Sequence, residues 1–215
     1  MAGTAARTSI TGVDITGAVL AGGLSRRLGR DKATLVLAGK PLALWVAELL
    51  APWVGDLWLV TNTPIRHMTL GLPMVSDLVA NQGPLGGVRT ALFYSRTPWV
   101  LAVSVDNPFL SDEVLAALCG RAAATGRPAV VCRSEQGLQP FPGLYHVRLL
   151  ERLGAYLQGN LRVRPFLEKI RPDILPPEVA AGAEARSRCF FNLNTKEDWL
   201  TAEAWMTQRR EISGE

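Results

Sequence analysis

The sequence predicts an α/β protein: a three-layer, doubly wound sandwich whose central sheet is mostly parallel. Three observations carry that expectation. Apolar runs of strand length alternate along the chain with segments of helical periodicity, as βαβ units require. Several of the runs stop abruptly at Gly or Asp, and the carboxyl ends of such strands are where α/β sheets bind ligands. A chain of 215 residues, 48% hydrophobic and 20% charged, suits one domain that hides roughly 70% of its unfolded surface.

The elements follow in order. Ile15–Leu20 is an apolar strand that ends in Ala21-Gly22-Gly23, and a glycine-rich basic loop runs on to Lys32. Pro41 opens a helix to about Leu50, and Asp56–Thr61 is a second strand. The whole stretch Ala43–Val60 imitates a membrane span, but Glu48, Pro52, Gly55 and Asp56 interrupt it, which favours helix, turn and buried strand. Met74-Val75 is a short strand stopping at Ser76-Asp77. Gly83-Pro84 starts a helix with Leu85, Val88 and Leu92 on one face, Pro84 fitting a first turn that needs no N–H from it. Trp99–Val105 is a third long strand, ending at Asp106-Asn107-Pro108; Ser111 is the expected N-cap of the next helix, with Asp112 and Glu113 in its first turn. Ala129–Cys132, Gly143–His146 and Cys189–Leu193 read as further strands. Helices are expected near Arg148–Leu157, after Pro165 and from Thr195, where Thr195-x-x-Asp198 is a capping pattern. The Pro- and Ala-rich stretch Pro172–Arg188 reads as a long surface connection. One domain over 15–208 is expected, with flexible tails at 1–14 and 209–215.

Composition excludes several classes. The net charge is +4 and no run of like charges builds a nucleic-acid stripe. The three cysteines, Cys119, Cys132 and Cys189, form no C-x-x-C pair, which argues against a disulfide framework or a zinc site and fits a reducing cytoplasm. The first fourteen residues lack the apolar core of a signal peptide, so a cytoplasmic protein with no membrane and no nucleic-acid partner is expected. His67 and His146 read as ordinary core or surface residues, and no Ser/His/Asp grouping suggests a nucleophile.

Three candidate sites lie at strand ends: the loop Leu20–Lys32, Asp77 and Asp106. The loop's glycines let backbone N–H groups approach an anion, while Ser25, Arg27 and Lys32 add donors and positive charge. It has neither the G-x-x-x-x-G-K-[ST] nor the G-x-G-x-x-G spacing. Asp106 at the end of a long strand suits a hard cation, which takes one or two carboxylates plus phosphate oxygens and water.

The string Leu20-Ala-Gly-Gly-x-Ser-x-Arg-x-Gly-x-Asp-Lys32 resembles the signature loop of the molybdenum cofactor guanylyltransferases, within the nucleotidyltransferase superfamily. Gly39-Lys40-Pro41-Leu42, Gly83-Pro84-Leu85-Gly86-Gly87, Asp106-Asn107-Pro108, Gln139-Pro140 with Gly143-Leu144-Tyr145, and Phe191-Asn192-Leu193-Asn194-Thr195 follow in the family's order. The resemblance implies a Rossmann-like nucleotidyltransferase fold and transfer of GMP from GTP to the terminal phosphate of molybdenum-molybdopterin, with pyrophosphate leaving. It further implies that backbone at Leu20, Ala21 and Gly22, together with Gly23, Ser25, Arg27, Asn62 and Asp77, binds the nucleotide. Lys32 would hold the phosphates and Asp106 would ligate Mg²⁺, the two acting as the catalytic pair. Asn192 and Asn194 would lie on the acceptor or phosphate side, although an Asn there also serves as a plain helix cap. Two departures stand out: Lys196 where the family has proline, and Asn107 in a variable slot. Arg148, Arg152, Arg162 and Arg164 are either an acceptor-side basic patch or a solvated helix face. Docking onto molybdoenzymes or their chaperones is a further implication.

Two alternatives stay open on the sequence. One is a relative that uses CTP or another phosphorylated acceptor, against which the Gly22-Gly23 pair stands, because cytidylyl and sugar-nucleotide relatives more often read Ala-Ala-Gly. The other is a non-catalytic nucleotide-binding cofactor carrier, against which the retention of Lys32 and Asp106 stands.

Overall fold

The computed structural model describes residues 14–21, 31–180 and 182–213; Gly22, Gly23, Ser25 and Arg27 lie outside them. In chain order the strands are β1 (Ile15–Leu20), β2 (Val36–Leu37), β3 (Lys40–Pro41), β4 (Asp56–Thr61), β5 (Met74–Ser76), β6 (Trp99–Ser104), β7 (Ala129–Ser134), β8 (Gly137–His146) and β9 (Asp173–Leu175). The helices are α1 (Leu42–Leu50), α2 (Pro64–His67), α3 (Gly83–Tyr94), α4 (Asp112–Ala124), α5 (Leu150–Leu157), α6 (Val163–Ile170), α7 (Gly182–Cys189) and α8 (Lys196–Ser213).

Seven strands form one sheet in the order β5-β4-β1-β6-β8-β7-β9. β8 runs antiparallel to both its neighbours, while the other pairings are parallel. The mostly parallel, doubly wound sandwich is therefore what the chain forms. From β1 the chain winds outward through β4 to β5, then α3 carries it back across to β6 on the other side of β1. That reversal makes a topological switch point between β1 and β6, where such sheets open a crevice.

Alternation along the strands builds the two outer layers. In β6, Trp99, Leu101 and Val103 face a core shared with α1, α4, α7 and α8, while Val100 and Ala102 face a second core under α3, α5 and α6. Pairing β1 with β6 from Ile15↔Trp99 to Leu20↔Ser104 keeps their carboxyl ends level.

Two expectations need correction and two need extension. Pro172–Arg188 is no bare connection, because Asp173–Leu175 pairs with β7 at the sheet's edge and α7 follows. Cys189–Leu193 is not a strand. Cys189 ends α7, and Phe191 is fixed by edge-on contact with Trp205 rather than by sheet pairing. The strand expected at Gly143–His146 begins earlier, at Gly137, as the return arm of a hairpin from β7. The first helix is preceded by the small hairpin β2–β3, turned by Ala38 and Gly39 at φ 48° and 85°, the signs a two-residue hairpin demands.

The caps behave as expected at α8. Asp198 Oδ2 accepts from the Asn194 and Thr195 amides at 2.8 Å, and Thr195 Oγ1 accepts from the Asp198 amide at 3.1 Å. This reciprocal box fixes the chain entering α8.

Candidate nucleotide-binding site

Four neighbouring strands deliver the sequence-predicted residues to one edge of the sheet. In spatial order, Asp77 follows β5, Asn62 follows β4, Leu20 and Ala21 end β1, and Asp106 follows β6. Backbone bonds hold that edge flush: Ala21 N donates to Val60 O at 2.9 Å and Val105 N to Leu20 O at 3.1 Å.

At the β6 end, Asp106 Oδ1 accepts from Ser104 Oγ at 2.5 Å and Oδ2 accepts from Lys32 Nζ at 2.8 Å. Lys32 Nζ also donates to Asn194 Oδ1 at 2.8 Å. The two charged side chains are only 14% and 17% exposed, so their interaction is less screened than a surface pair's. The Asp106 carbonyl accepts from Leu193 N at 3.0 Å, which fastens the segment carrying Asn192 and Asn194 to the strand end. Phe109 and Phe191 both meet Trp205 of α8 edge-on, at 5.2 and 4.9 Å between centroids, so the same junction is clamped from beneath.

At the β5 end, burial pushes the Asp77 carboxyl above its ordinary range, opposed by the polar side chains of Asn62 and then Thr90. Its Oδ1 is buried without a hydrogen-bond partner among the described residues. A half-desolvated acid beside an amide offers directional hydrogen bonding to the edge of a ligand. Asn107, next to Asp106, is 1% exposed, and neither end of its amide finds a partner among the described residues.

Asn192 and Asn194 line a cavity of about 350 Å³ between the β7–β8 hairpin and α7. Ser134, Gln136, Arg186, Phe190, Phe191 and Asp198 contribute to its walls. Of the four arginines read as either an acceptor-side patch or a solvated helix face, two are engaged by backbone carbonyls. Arg148 donates to Gly126 O at 2.7 Å and Arg152 to Lys169 O at 2.6 Å, each tying down a backbone carbonyl. Arg148 follows the end of β8 that pairs with the start of β6, the edge of the sheet away from Asp106.

Several contributors were not evident from sequence. Ser104 and Asp198 hold Asp106 and Asn194, and His67 Nε2 lies 2.8 Å from Asp31 Oδ2 beside Lys32. Only the Thr195-x-x-Asp198 pattern signalled one of them in advance.

Comparison with known proteins agrees with this geometry. Residues 17–174 match the MobA-like NTP transferase domain. The chain is 35% identical over 201 residues to the molybdenum cofactor guanylyltransferase of Cereibacter sphaeroides, covering 87% of this chain and 95% of that one. It is 30% identical over 188 residues to the protein of the same name from Vibrio cholerae, covering 86% and 89%. Among solved structures, molybdopterin-guanine dinucleotide biosynthesis protein A from Archaeoglobus fulgidus superposes with a TM-score of 0.78 at 26% identity, covering 90% of this chain and 99% of that one. The 4-diphosphocytidyl-2C-methyl-D-erythritol synthase of Anaerococcus prevotii shares the fold alone, with a TM-score of 0.67 at 14% identity and coverage of 92% and 98%. With the strand-end aspartates, the paired lysine and the matched domain in agreement, the chain belongs to the MobA-like NTP transferase family and is a nucleotidyltransferase.

Proposed function

We propose that the chain is a molybdenum cofactor guanylyltransferase, which transfers GMP from GTP to the terminal phosphate of molybdenum-molybdopterin with Mg²⁺. An acceptor phosphate oxygen attacks the α-phosphorus, the bond from that phosphorus to the bridging oxygen breaks, and pyrophosphate leaves with the electron pair. Such a reaction needs positioning and positive charge on the phosphates more than covalent help from the protein. The observation that carries the reading is the Lys32–Asp106–Asn194 cluster at the switch point, in a chain whose relatives bear that activity in their names.

Lys32 is the phosphate ligand in this reading, and Asn62 and Asp77 receive the nucleoside. The loop residues Gly22, Gly23, Ser25 and Arg27 complete the nucleotide site. The donor set at Asp106 fits a hard divalent cation. Asp106 Oδ2 and Asn194 Oδ1 converge on a single positive centre, the Lys32 ammonium, at 2.8 Å each. Among the described residues no cluster of three acidic, His or Cys side chains suits a metal. Mg²⁺ would accordingly take Asp106, with phosphate oxygens and water completing its shell. Bound there, it would supply neutralisation of phosphoryl charge.

We assign the acceptor to the cavity beside Asn194. Its volume of about 350 Å³ falls within the range of small-molecule sites. Phe190 and Phe191 offer flat apolar surface to a heterocycle, and Arg186 offers charge to its phosphate. Work in the cytoplasm and delivery of the product to molybdoenzymes or their chaperones complete the reading. Among the described residues no helix is long and apolar enough to cross a membrane.

The test measures pyrophosphate release with molybdenum-molybdopterin, Mg²⁺ and each of GTP, CTP, ATP and UTP. GTP is expected to support turnover. It should also give the largest thermal shift, corresponding to about 2.7 kcal/mol at 100 times its dissociation constant. Preference for CTP would transfer the chain to the cytidylyl relatives, and binding without pyrophosphate would make it a carrier.

A further inference from the structure

The connection from β4 to β5 carries a histidine, His67, that is fully buried. Its Nε2 lies 2.8 Å from Asp31 Oδ2, and because an ionised carboxylate only accepts, the imidazole is the donor. The other carboxylate oxygen, Oδ1, accepts from Ala33 N at 3.0 Å, and the Asp31 carbonyl accepts from Thr34 Oγ1 at 3.2 Å. Asp31 thereby caps the short 3-10 turn Lys32–Thr34, whose first residue is the lysine that reaches Asp106 and Asn194.

The imidazole is a costly way to fill that space. Its Nδ1 is buried with no partner among the described residues, and a buried polar atom in that position carries a penalty that an apolar side chain of similar size would avoid. The bond to Asp31 is what distinguishes histidine from leucine here. An acidic residue adjacent to a phosphate-binding lysine is also a rival partner for its ammonium. In this arrangement both Asp31 oxygens are engaged elsewhere, and Lys32 points away from them.

We propose that His67 is a positioning residue for triphosphate binding. By engaging Asp31 it sets the turn that carries Lys32 and keeps the neighbouring carboxylate from competing with the phosphates. The inference rests on the reading of Lys32 as the phosphate ligand.

The experiment measures GTP affinity by calorimetry, and turnover, for His67→Leu, His67→Gln and Asp31→Asn, each alone and on a Lys32→Ala background. His67→Leu is expected to weaken GTP about ten-fold, the size of one lost hydrogen bond to a charged group. His67→Gln, which can place an amide N–H near the Nε2 position, should recover affinity to within about three-fold of the parent. On Lys32→Ala the His67→Leu loss should vanish, because the lysine it positions is gone. A purely structural role would instead lower affinity equally on both backgrounds, and that result overturns the proposal. So does parental affinity in a cooperatively folding His67→Leu protein. If the leucine variant fails to fold, Asp31→Asn, at a partly exposed residue, must show the same loss and the same dependence on Lys32, and parental affinity there is equally fatal. Parental GTP binding by Lys32→Ala itself overturns the phosphate role of Lys32 and this inference with it. A Lys32 effect without a His67 or Asp31 effect overturns this inference alone.

Discussion

Asp106 is held by its own strand through Ser104 and by a lysine 74 residues away, more anchorage than a turn aspartate needs. Asp106→Asn preserves the shape and an acceptor for Lys32 but deletes the charge that the proposed Mg²⁺ would meet. Metal stabilisation is worth several kcal/mol, so loss of about half of it slows transfer roughly 10²-fold, partly recovered at high Mg²⁺. A turn-capping aspartate behaves otherwise, since Asn serves turns nearly as well. Superimposable Mg²⁺ curves for pyrophosphate release in the two proteins would therefore contradict the metal assignment. At Lys32, the single ammonium meets two oxygens at 2.8 Å each, and a planar guanidinium cannot reproduce that contact from the same stem. Lys32→Ala should fold while losing GTP affinity, and Lys32→Arg should restore little of it. Both residues were legible in sequence because each stands where a recognisable motif ends. Of the side chains around them, Asp198 was signalled by its capping pattern, whereas Ser104 and His67 were not: a serine two residues before an aspartate is no motif, and His67 meets Asp31 only once segments 36 positions apart come together.

The elements differ in how openly the sequence declares them. Long apolar strands such as β1 and β6, buried on both faces, read directly from composition. The three-residue edge strand β9 lies between Pro172 and Pro176 with no room for a periodic signal. Cys189-Phe190-Phe191 mimics a strand because the run is apolar, but Cys189 and Phe190 are buried by packing in the helical layer, and Phe191 is half-buried against Trp205. Glycines test the element-level account through a contrast. A Cβ at Gly143, in β8, would stand 2.5 Å from the backbone oxygen of Pro140, the atom that accepts the Tyr145 hydroxyl at 2.8 Å. Backbone must move to admit it, so Gly143→Ala should cost about 1–3 kcal/mol and lower Tm by roughly 2–4 °C for each kcal/mol. Gly120, exposed on α4, meets nothing within 4 Å. There the same substitution should be neutral or stabilise by up to about 1 kcal/mol through helix propensity. Thermal melts of both variants check the pair, and equal shifts would contradict it.

At the scale of the molecule, the site depends on the joining of two stretches of chain. The matched domain ends at residue 174, yet Asn194, one of the two side chains that accept from Lys32 among the described residues, comes from the segment beyond it, locked to Asp106 by a backbone bond. The layer of α4, α7 and α8 that seats this segment also buries the three thiols, Cys119 on α4, Cys132 on β7 and Cys189 at the end of α7. Burial pushes the Cys119 and Cys132 thiols up to about 12 and raises Cys189 in the same direction. Thiolate is the reactive form, so a disulfide reagent at pH 8 should modify the native protein hardly at all, and all three sites once the layer separates in denaturant. The same shifts carry a sign for stability. The unfolded thiol loses its proton near 9 and the folded one near 12, so between those values the folded state binds more protons and stability falls as pH rises. Below pH 9 that contribution is fully present, and it disappears progressively toward 12. Denaturant midpoints from pH 7.5 to 10.5 should accordingly be flat at first and then decline. Replacing Cys119 by Ala should soften the alkaline decline while lowering the plateau through the lost packing of a fully buried side chain. A thiol that reacts rapidly in the native protein at pH 8 would show that the layer seating Asn194 opens far more readily than its packing allows.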